Sequence, residues 1–383
     1  MKKKPATANP AKENKSKIFP IVGIGASAGG LEAVSELLQH LPADTGMAYV
    51  YIQHLDPTHQ SMVSSILSRI TKMPVAEATQ KLEIKPDHVY VIPPNQDLTI
   101  VGGVLTLNER KAKPTLHVPI DQFFMSLAED QKERAIGIVL SGSATDGTIG
   151  LKAIKTAGGL TFVQDESAKF QSMPRSAIAE GVADLVLSPQ QIAKELEKLS
   201  TKAESILELT KDGQEEEISN LDQDLAAIIQ MLKKSTAVDF THYKMNTIKR
   251  RIIRRMLLHK LETLSEYLQY IKSHQAEINI LFQDLLINVT NFFRDQDAFE
   301  FLKKNVFPQI LKNKSSNDPL RVWVPACSTG EEAYSIAITL MEVLGDKANN
   351  IPVQIFATDL SELAISKARL GLYSRNDLAD VSP

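Results

Sequence analysis

The sequence has one cysteine, Cys327, among 383 residues. No disulfide can therefore form within the chain, which fits a reducing compartment, and we expect a cytoplasmic protein. No apolar stretch approaches the roughly 20 residues that cross a bilayer, so we expect no direct membrane insertion. The net charge of −3 gives no signal for nucleic-acid binding. We predict neither a nucleic-acid partner nor a metal site.

The length of the chain and the order of its apolar segments predict several domains. Residues 1–17 carry several lysines without an apolar core, which is typical of a disordered tail rather than of a signal peptide. Between residues 18 and 199, short apolar runs alternate with amphipathic stretches. This alternation predicts an α/β domain with a doubly wound, mostly parallel sheet, a Rossmann-like three-layer arrangement. Within it, LTIVGGVLTL predicts a β-hairpin inserted at an edge of the sheet.

The second half of the chain changes character twice. Residues 200–235 are rich in acids and lack strand patterns, which indicates a helical linker. Residues 236–312 show helix periodicity only and predict a small all-α domain. From residue 313 to 383 the strand–helix alternation returns, but only two such units fit. We therefore expect the start of a second Rossmann-like α/β domain, truncated at the end of the chain.

The first candidate site begins with a glycine-rich turn. GIGASAGG at residues 23–30 follows an apolar strand and is a variant of the dinucleotide-binding fingerprint. The acid that grips a ribose about 20 residues later in such folds is absent, because the next strand ends in Gln53 and His54. Ser27 lies in the tight turn itself, where a helix N-terminus offers backbone N–H groups to an oxyanion.

A third loop, SGSATDG, follows another apolar strand and contains Asp146. In open α/β sheets, ligand-binding residues collect beyond the carboxyl ends of strands, which is where Ser27, His54 and Asp146 are expected. A serine nucleophile, an imidazole base and a carboxylate that orients the base are the set that acyl transfer requires. One at a time, the three residues are equally well explained as a helix N-cap, a loop histidine and a turn former. Their coincidence at three strand ends favours a serine hydrolase.

Five motifs in this region also carry a family resemblance. GIGASAGG, YIQHLDPTH, KPDHVYVIPP, LSGSATDGTIGLKAIKTAGG and QDESAKFQSMPRSAI, in that order, resemble the catalytic domain of CheB-type chemotaxis receptor methylesterases. The resemblance implies a cofactor-free protein-glutamate methylesterase with Ser27 as nucleophile, His54 as general base and Asp146 as the orienting acid. It further implies that the substrates are glutamyl methyl esters, and glutamines to be deamidated, on methyl-accepting chemotaxis-type receptors. Ala28 stands where many relatives have threonine.

The second candidate site lies near the end of the chain. The small residues of PACSTGEE after a predicted strand let the backbone approach a ligand closely, and Asp359 ends the next strand. DFTHYKMNTIKRRIIRRM, INVTNFFRD, VWVPACSTGEEAYSIA and IFATDLSELAISKA resemble, in order, CheR-type chemotaxis receptor methyltransferases. That resemblance implies S-adenosyl-L-methionine as cofactor. The contacts it implies are Asn288, Thr290, Arg294, Glu331 and Asp359.

Basic residues are concentrated between Lys244 and Lys260, without one acid. Such a run is typically a solvated face, whereas the CheR resemblance implies a surface that attracts the glutamate-bearing part of a receptor. Two other functions stay open for the whole chain. One is a nucleotide-binding, dehydrogenase-like domain with a helical partner-binding tail, and the other is a non-catalytic sensory scaffold.

Overall fold

The structure is a computed structural model that describes residues 19–54, 62–109, 117–207, 223–286, 290–312, 314, 318–373, 377–378 and 381. The predicted tail of residues 1–17 lies outside the described residues. None of the helices in the described ranges has the length and hydrophobicity needed to span a membrane.

A seven-stranded parallel sheet organises the N-terminal part of the chain, which together with its covering helices we call the sheet body. Its strands are β1 (Ile21–Ala26), β2 (Ala48–Gln53), β3 (Val75–Glu77), β5 (Val89–Val91), β8 (Ala135–Val139), β9 (Leu160–Gln164) and β10 (Leu185–Leu187). The strand order is β10-β9-β8-β1-β2-β5-β3, and each of the pairings is parallel. The order reverses at β1, so the predicted doubly wound, mostly parallel sheet is confirmed.

Helices cover both faces of this sheet. They are α1 (Gly30–Gln39), α2 (Val63–Leu67), α3 (Pro119–Gln131), α4 (Thr148–Ala157), α5 (Ser172–Ala179) and α6 (Pro189–Leu207). Alternate side chains of β1 enter different cores: Val22 and Ile24 pack with residues of α1 and α6, while Ile21 packs with residues of α3 and α4. A Cβ on Gly25 would lie 2.3 Å from Ile120 of α3. Helix α3 therefore rests directly on the backbone of the central strand.

The predicted β-hairpin is present, but its predicted position is wrong. Strands β6 (Gln96–Val101) and β7 (Val104–Glu109) pair antiparallel and form a separate three-stranded sheet with β4 (Leu82–Glu83). Gly102 and Gly103 form the turn with φ values of 61° and 73°, which glycine adopts without strain. Asp130 of α3 accepts hydrogen bonds from both glycine amides. The hairpin is thus held against α3 rather than on the edge of the main sheet.

The middle of the chain is helical, as predicted. Its helices are α7 (Gln223–Thr236), α8 (Met245–His259), α9 (Leu264–Ser273), α10 (Gln275–Leu285), α11 (Gln296–Phe301) and α12 (Phe307–Leu311). The predicted linker ended at residue 235, yet α7 buries Leu225, Ile228 and Leu232 in the helical core. The apolar face of α7 therefore packs within the helices α7 to α10, which we call the helical body. Residues 208–222 of the predicted linker lie outside the described residues.

Two strand–helix units follow, as predicted. Strands β11 (Leu320–Pro325) and β12 (Val353–Thr358) pair in parallel, each followed by a helix, α13 (Glu331–Leu344) and α14 (Glu362–Leu370). Gly330 precedes α13 with φ of 102°, and a Cβ there would lie 2.8 Å from the Tyr373 hydroxyl. The turn between β11 and α13 thus depends on glycine at this position.

Candidate functional site

The three predicted hydrolase residues gather at the carboxyl edge of the sheet, where the strand order reverses. Ser27 and His54 follow the neighbouring strands β1 and β2, whose register pairs Ala26 with Gln53. Asp146 lies in the loop after β8, the other neighbour of β1. The parallel register therefore places all three residues at one end of adjacent strands, as the sequence predicted.

His54 and Asp146 form a hydrogen-bonded pair. The distance from His54 Nε2 to Asp146 Oδ2 is 2.7 Å, and the Asp146 side chain is 2% exposed against 30% for His54. Three backbone N–H groups hold the carboxylate: those of Ile120 at 3.0 Å, Asp121 at 2.9 Å and Gly147 at 2.9 Å. Two of these donors belong to the first turn of α3, where a helix favours negative charge. Asp146 is therefore rigidly placed to orient the imidazole.

Ser27 lies in a turn that the neighbouring loop holds in place. Its N–H donates to the Ser141 carbonyl at 3.0 Å, and its own carbonyl accepts from Gly30 at 2.9 Å. Gly29 has φ of 71°, and a Cβ there would lie 2.7 Å from the Ser141 hydroxyl. No hydrogen bond joins the Ser27 hydroxyl to His54 in the described part of the chain. The structure thus brings the serine beside the His–Asp pair without forming that contact, which in hydrolases often tightens only when substrate binds.

A second histidine, His117, lies at this edge and was not predicted from the sequence. His117 Nε2 lies 2.7 Å from Asp97 Oδ1, and the ring centroids of His117 and His54 are 6.3 Å apart. Asp97 and His117 are separated by twenty positions and belong to no recognised motif. The available signal was a histidine two residues before Pro119, the first residue of α3.

Asp121 is a further acidic residue that the sequence did not single out. It is 3% exposed, and Oδ1 accepts from the Gly150 amide at 2.6 Å, whereas Oδ2 has no hydrogen-bond partner among the described residues. Burial, followed by the charge of Asp146, raises the pKa of Asp121 to about 8. Asp121 therefore favours its neutral form, and its own amide is one of the three donors that fix Asp146.

The predicted cofactor residues lie around the turn between β11 and α13. Asp359 accepts hydrogen bonds from the amides of Ser328 and Ser361, each at 2.8 Å. The Glu331 carboxylate is buried and accepts from the Thr329 hydroxyl at 2.7 Å. Two carboxylates thus stand at one turn, which suits a ligand with hydroxyl and ammonium groups.

The remaining predicted cofactor contacts precede α11. Asn288 lies outside the described residues, whereas Thr290 is half-buried and Arg294 is exposed. The segment that carries them approaches α13, because the Phe293 amide donates to the Ser335 hydroxyl at 3.0 Å. In the turn itself, the Ser328 hydroxyl is buried and has no hydrogen-bond partner in the part of the chain that the structure describes. An orphaned hydroxyl in a turn of small residues fits a site that a polar ligand completes.

Helix α8 carries the basic run, and its three central arginines are buried. The two interpretations of this run from the sequence, a solvated face and a receptor-binding surface, are therefore both wrong for these arginines. Arg251, Arg254 and Arg255 are 5%, 1% and 9% exposed. Arg254 pairs with Asp184 of the sheet body and Asp284 of α10, and Arg251 donates to the last carbonyls of α4. The sheet body therefore covers Arg251 and Arg254, while Arg255 pairs with Glu277 of α10 at 2.7 Å. Local sequence cannot reveal contacts of this kind.

Three protein families match successive parts of the chain. The families are described as CheB methylesterase, over residues 22–196, CheR methyltransferase all-alpha domain, over residues 223–286, and CheR methyltransferase SAM binding domain, over residues 288–383. These matches confirm the resemblances found in the sequence, including their order. They do not favour the dehydrogenase-like alternative.

Relatives with known sequences agree with these families. A putative protein-glutamate methylesterase/protein-glutamine glutaminase of Leptospira interrogans is 37% identical over 182 residues, which is 46% of this chain and 92% of the relative. A methylesterase/glutaminase of Burkholderia pseudomallei is 36% identical over 50% of this chain and 56% of its own length. A 104.1 kDa protein of Rhodobacter capsulatus is 34% identical over 83% of this chain. The chain spans only 35% of that last relative's length.

Solved structures also resemble the chain. The crystal structure of the Thermotoga maritima CheB methylesterase catalytic domain is 29% identical, with a TM-score of 0.44. The similarity covers 47% of this chain and 98% of that domain.

Proposed function

Since this chain belongs to the CheB methylesterase family and continues into regions that match CheR methyltransferases, we propose that it sets the methylation level of chemotaxis-type receptors. The sheet body, proposed to span residues 18–199, hydrolyses glutamyl methyl esters. The helical body and the two strand–helix units after it belong to a glutamate O-methyltransferase that uses S-adenosyl-L-methionine. We propose that both activities act on the cytoplasmic signalling helices of the receptors.

One observation carries the esterase proposal: the His54–Asp146 pair of 2.7 Å at the strand end next to Ser27. His54 Nε2 is engaged with Asp146, so Nδ1 is the nitrogen that takes the Ser27 proton. The Ser27 oxygen then attacks the ester carbonyl and forms a tetrahedral intermediate. Protonated His54 returns the proton to the methoxy oxygen, methanol leaves, and water releases the glutamate carboxylate by the same steps.

Backbone groups of the same turn stabilise the charge of the intermediate. The turn of Ser27 and Ala28 leads into α1, and the N-terminus of a helix favours an oxyanion. Ala28 supplies no hydroxyl here, so backbone N–H groups alone provide the donors on this side. Glutamine side chains offer the same carbonyl with ammonia as leaving group, so we extend the proposal to deamidation.

For the methyltransferase part we propose that Glu331 and Asp359 recognise the amino and hydroxyl groups of S-adenosyl-L-methionine. The cofactor supplies the methyl group when it is bound. Thr290 and Arg294 lie on the segment that packs against α13, and we propose that they close the same site, together with Asn288. The buried and unpartnered Ser328 hydroxyl supports a ligand at this turn.

Release of methanol from a methyl-esterified receptor fragment tests the esterase proposal. Ser27→Ala should lower kcat by about 10⁴-fold or more, because nothing else supplies the nucleophile. Ser200→Ala, a serine on α6 bonded only to the Glu197 carbonyl, is the matched control and should match the parent. Equal methanol release by parent and Ser27→Ala would refute the assignment.

A further inference from the structure

Two histidine–carboxylate pairs stand side by side at the carboxyl edge of the sheet. His54 is paired with Asp146 and His117 with Asp97, both at 2.7 Å. Their ring centroids are 6.3 Å apart, and their side chains are 30% and 29% exposed. The second pair therefore repeats the distance and the exposure of the first.

The fold positions His117 through two elements that already serve the site. His117 lies just before α3, whose first amides hold Asp146. Asp97 comes from β6 of the hairpin, and the same hairpin is fastened to α3 through Asp130. The hairpin thus gives the site a carboxylate that no strand of the main sheet supplies.

The nitrogen atoms of the two rings are not equally committed. His54 uses Nε2 for Asp146 and needs Nδ1 for Ser27 in the proposed reaction, so it has no nitrogen left for other substrate atoms. His117 uses Nε2 for Asp97, which leaves Nδ1 for a further partner. With the rings 6.3 Å apart, one substrate group can contact both.

We propose that His117, oriented by Asp97, is a further catalytic residue of the esterase, which hydrogen-bonds to the glutamyl ester or carboxamide while Ser27 attacks it. The assignment rests on the proposed function. Its energetic role is that of a preorganised hydrogen-bonding group, because Asp97 fixes the ring before substrate arrives. Such groups, when removed, typically lower kcat by about 10²-fold.

The test compares His117→Ala with His40→Ala in the full chain, with methanol release from a methylated receptor fragment as readout. His40 is an exposed histidine at the end of α1 whose ring bonds to the Glu36 carbonyl at 2.8 Å. We expect His117→Ala to lower kcat about 10²-fold with little change in KM, and His40→Ala to match the parent. Added imidazole should restore part of the His117→Ala activity, because the truncation leaves room for the missing ring.

Asp97→Asn probes the orientation of the ring. It should lower kcat in the same direction, and the Asp97→Asn/His117→Ala double variant should be no slower than His117→Ala, because both changes act through one ring. Activity of His117→Ala within twofold of the parent, while Ser27→Ala is inactive, overturns this inference and leaves the proposed function standing. A loss that imidazole does not rescue and that accompanies a lower urea midpoint also overturns it, since the role is then structural. Unchanged activity of Ser27→Ala removes the proposed function and this inference together.

Discussion

Replacement of Arg254 by methionine should loosen the contact between the sheet body and the helical body. The Arg254 guanidinium binds Asp184 on one side and Asp284 on the other, and Nε donates to the Gly159 carbonyl at 3.1 Å. Methionine keeps much of the length and the apolar stem but removes the charge. Asp184 retains Lys155 at 3.2 Å, whereas Asp284 loses its arginine partner while it remains buried.

The magnitude follows from burial. Loss of one partner of a buried ion pair costs about 3–5 kcal/mol, whereas an exposed pair contributes about 0.2–1 kcal/mol. Arg254 is 1% exposed, so we expect its replacement to lower the free energy of unfolding by about 3–5 kcal/mol. With a urea m-value of about 3 kcal/mol per molar, the midpoint should fall by about 1–1.7 M.

Urea unfolding followed by far-ultraviolet circular dichroism is the assay, with Lys260→Met as the matched control. Lys260 follows the last residue of α8, is 50% exposed and pairs with Glu195 of α6 at 3.3 Å, so its replacement should cost about 1 kcal/mol or less. Salt should hardly change the Arg254 effect and should reduce the Lys260 effect, because ions screen exposed charges far better than buried ones. A cost for Arg254→Met that equals that of Lys260→Met, or that fades with salt, would show that Arg254 is exposed in solution. The burial argument would then be wrong.

Three further predictions concern the two sites. Burial and the charge of Asp146 raise the pKa of Asp121 to about 8, so the folded chain keeps a proton that the unfolded chain releases near pH 4. Asp121 therefore lowers the free energy of unfolding as the pH rises from about 4 to 8, by up to about 1.4 kcal/mol per pH unit. Asp121→Asn should remove this contribution to the pH dependence of the urea midpoint. An unchanged pH dependence would contradict the raised pKa of Asp121. Gly25→Ala would place a Cβ 2.3 Å from the Ile120 side chain, so α3 must shift. We expect the free energy of unfolding in urea to fall by about 1–3 kcal/mol and methanol release to become slower. A variant equal to the parent in both measurements would exclude tight packing at this position. Gly330→Ala strains a turn with φ of 102° and should weaken S-adenosyl-L-methionine binding about tenfold or more, as measured by calorimetry. An unchanged affinity would show that this turn does not bind the cofactor.

Local pattern in the sequence was sufficient for most elements. The predicted alternation of strands and helices includes α4, which lies between Gly147 and Gly158, because an amphipathic period and flanking glycines are properties of the segment itself. The two glycines of LTIVGGVLTL likewise predicted the hairpin, since a tight turn of this kind needs positive φ. The strand-end positions of Ser27, His54 and Asp146 followed from the alternation of strands and helices, and the parallel register then joined them.

Only the tertiary structure decided which surfaces meet. The arginines of α8 have the sequence pattern of an exposed basic face, yet Arg254 is buried against the sheet body, because carboxylates from distant segments, Asp184 and Asp284, neutralise it. Asp97 and His117 form a pair only because the hairpin folds onto α3. Asp121 becomes a neutral acid only because burial places it beside Asp146. In each case the deciding partner comes from a remote part of the chain, and a local sequence pattern carries no information about it.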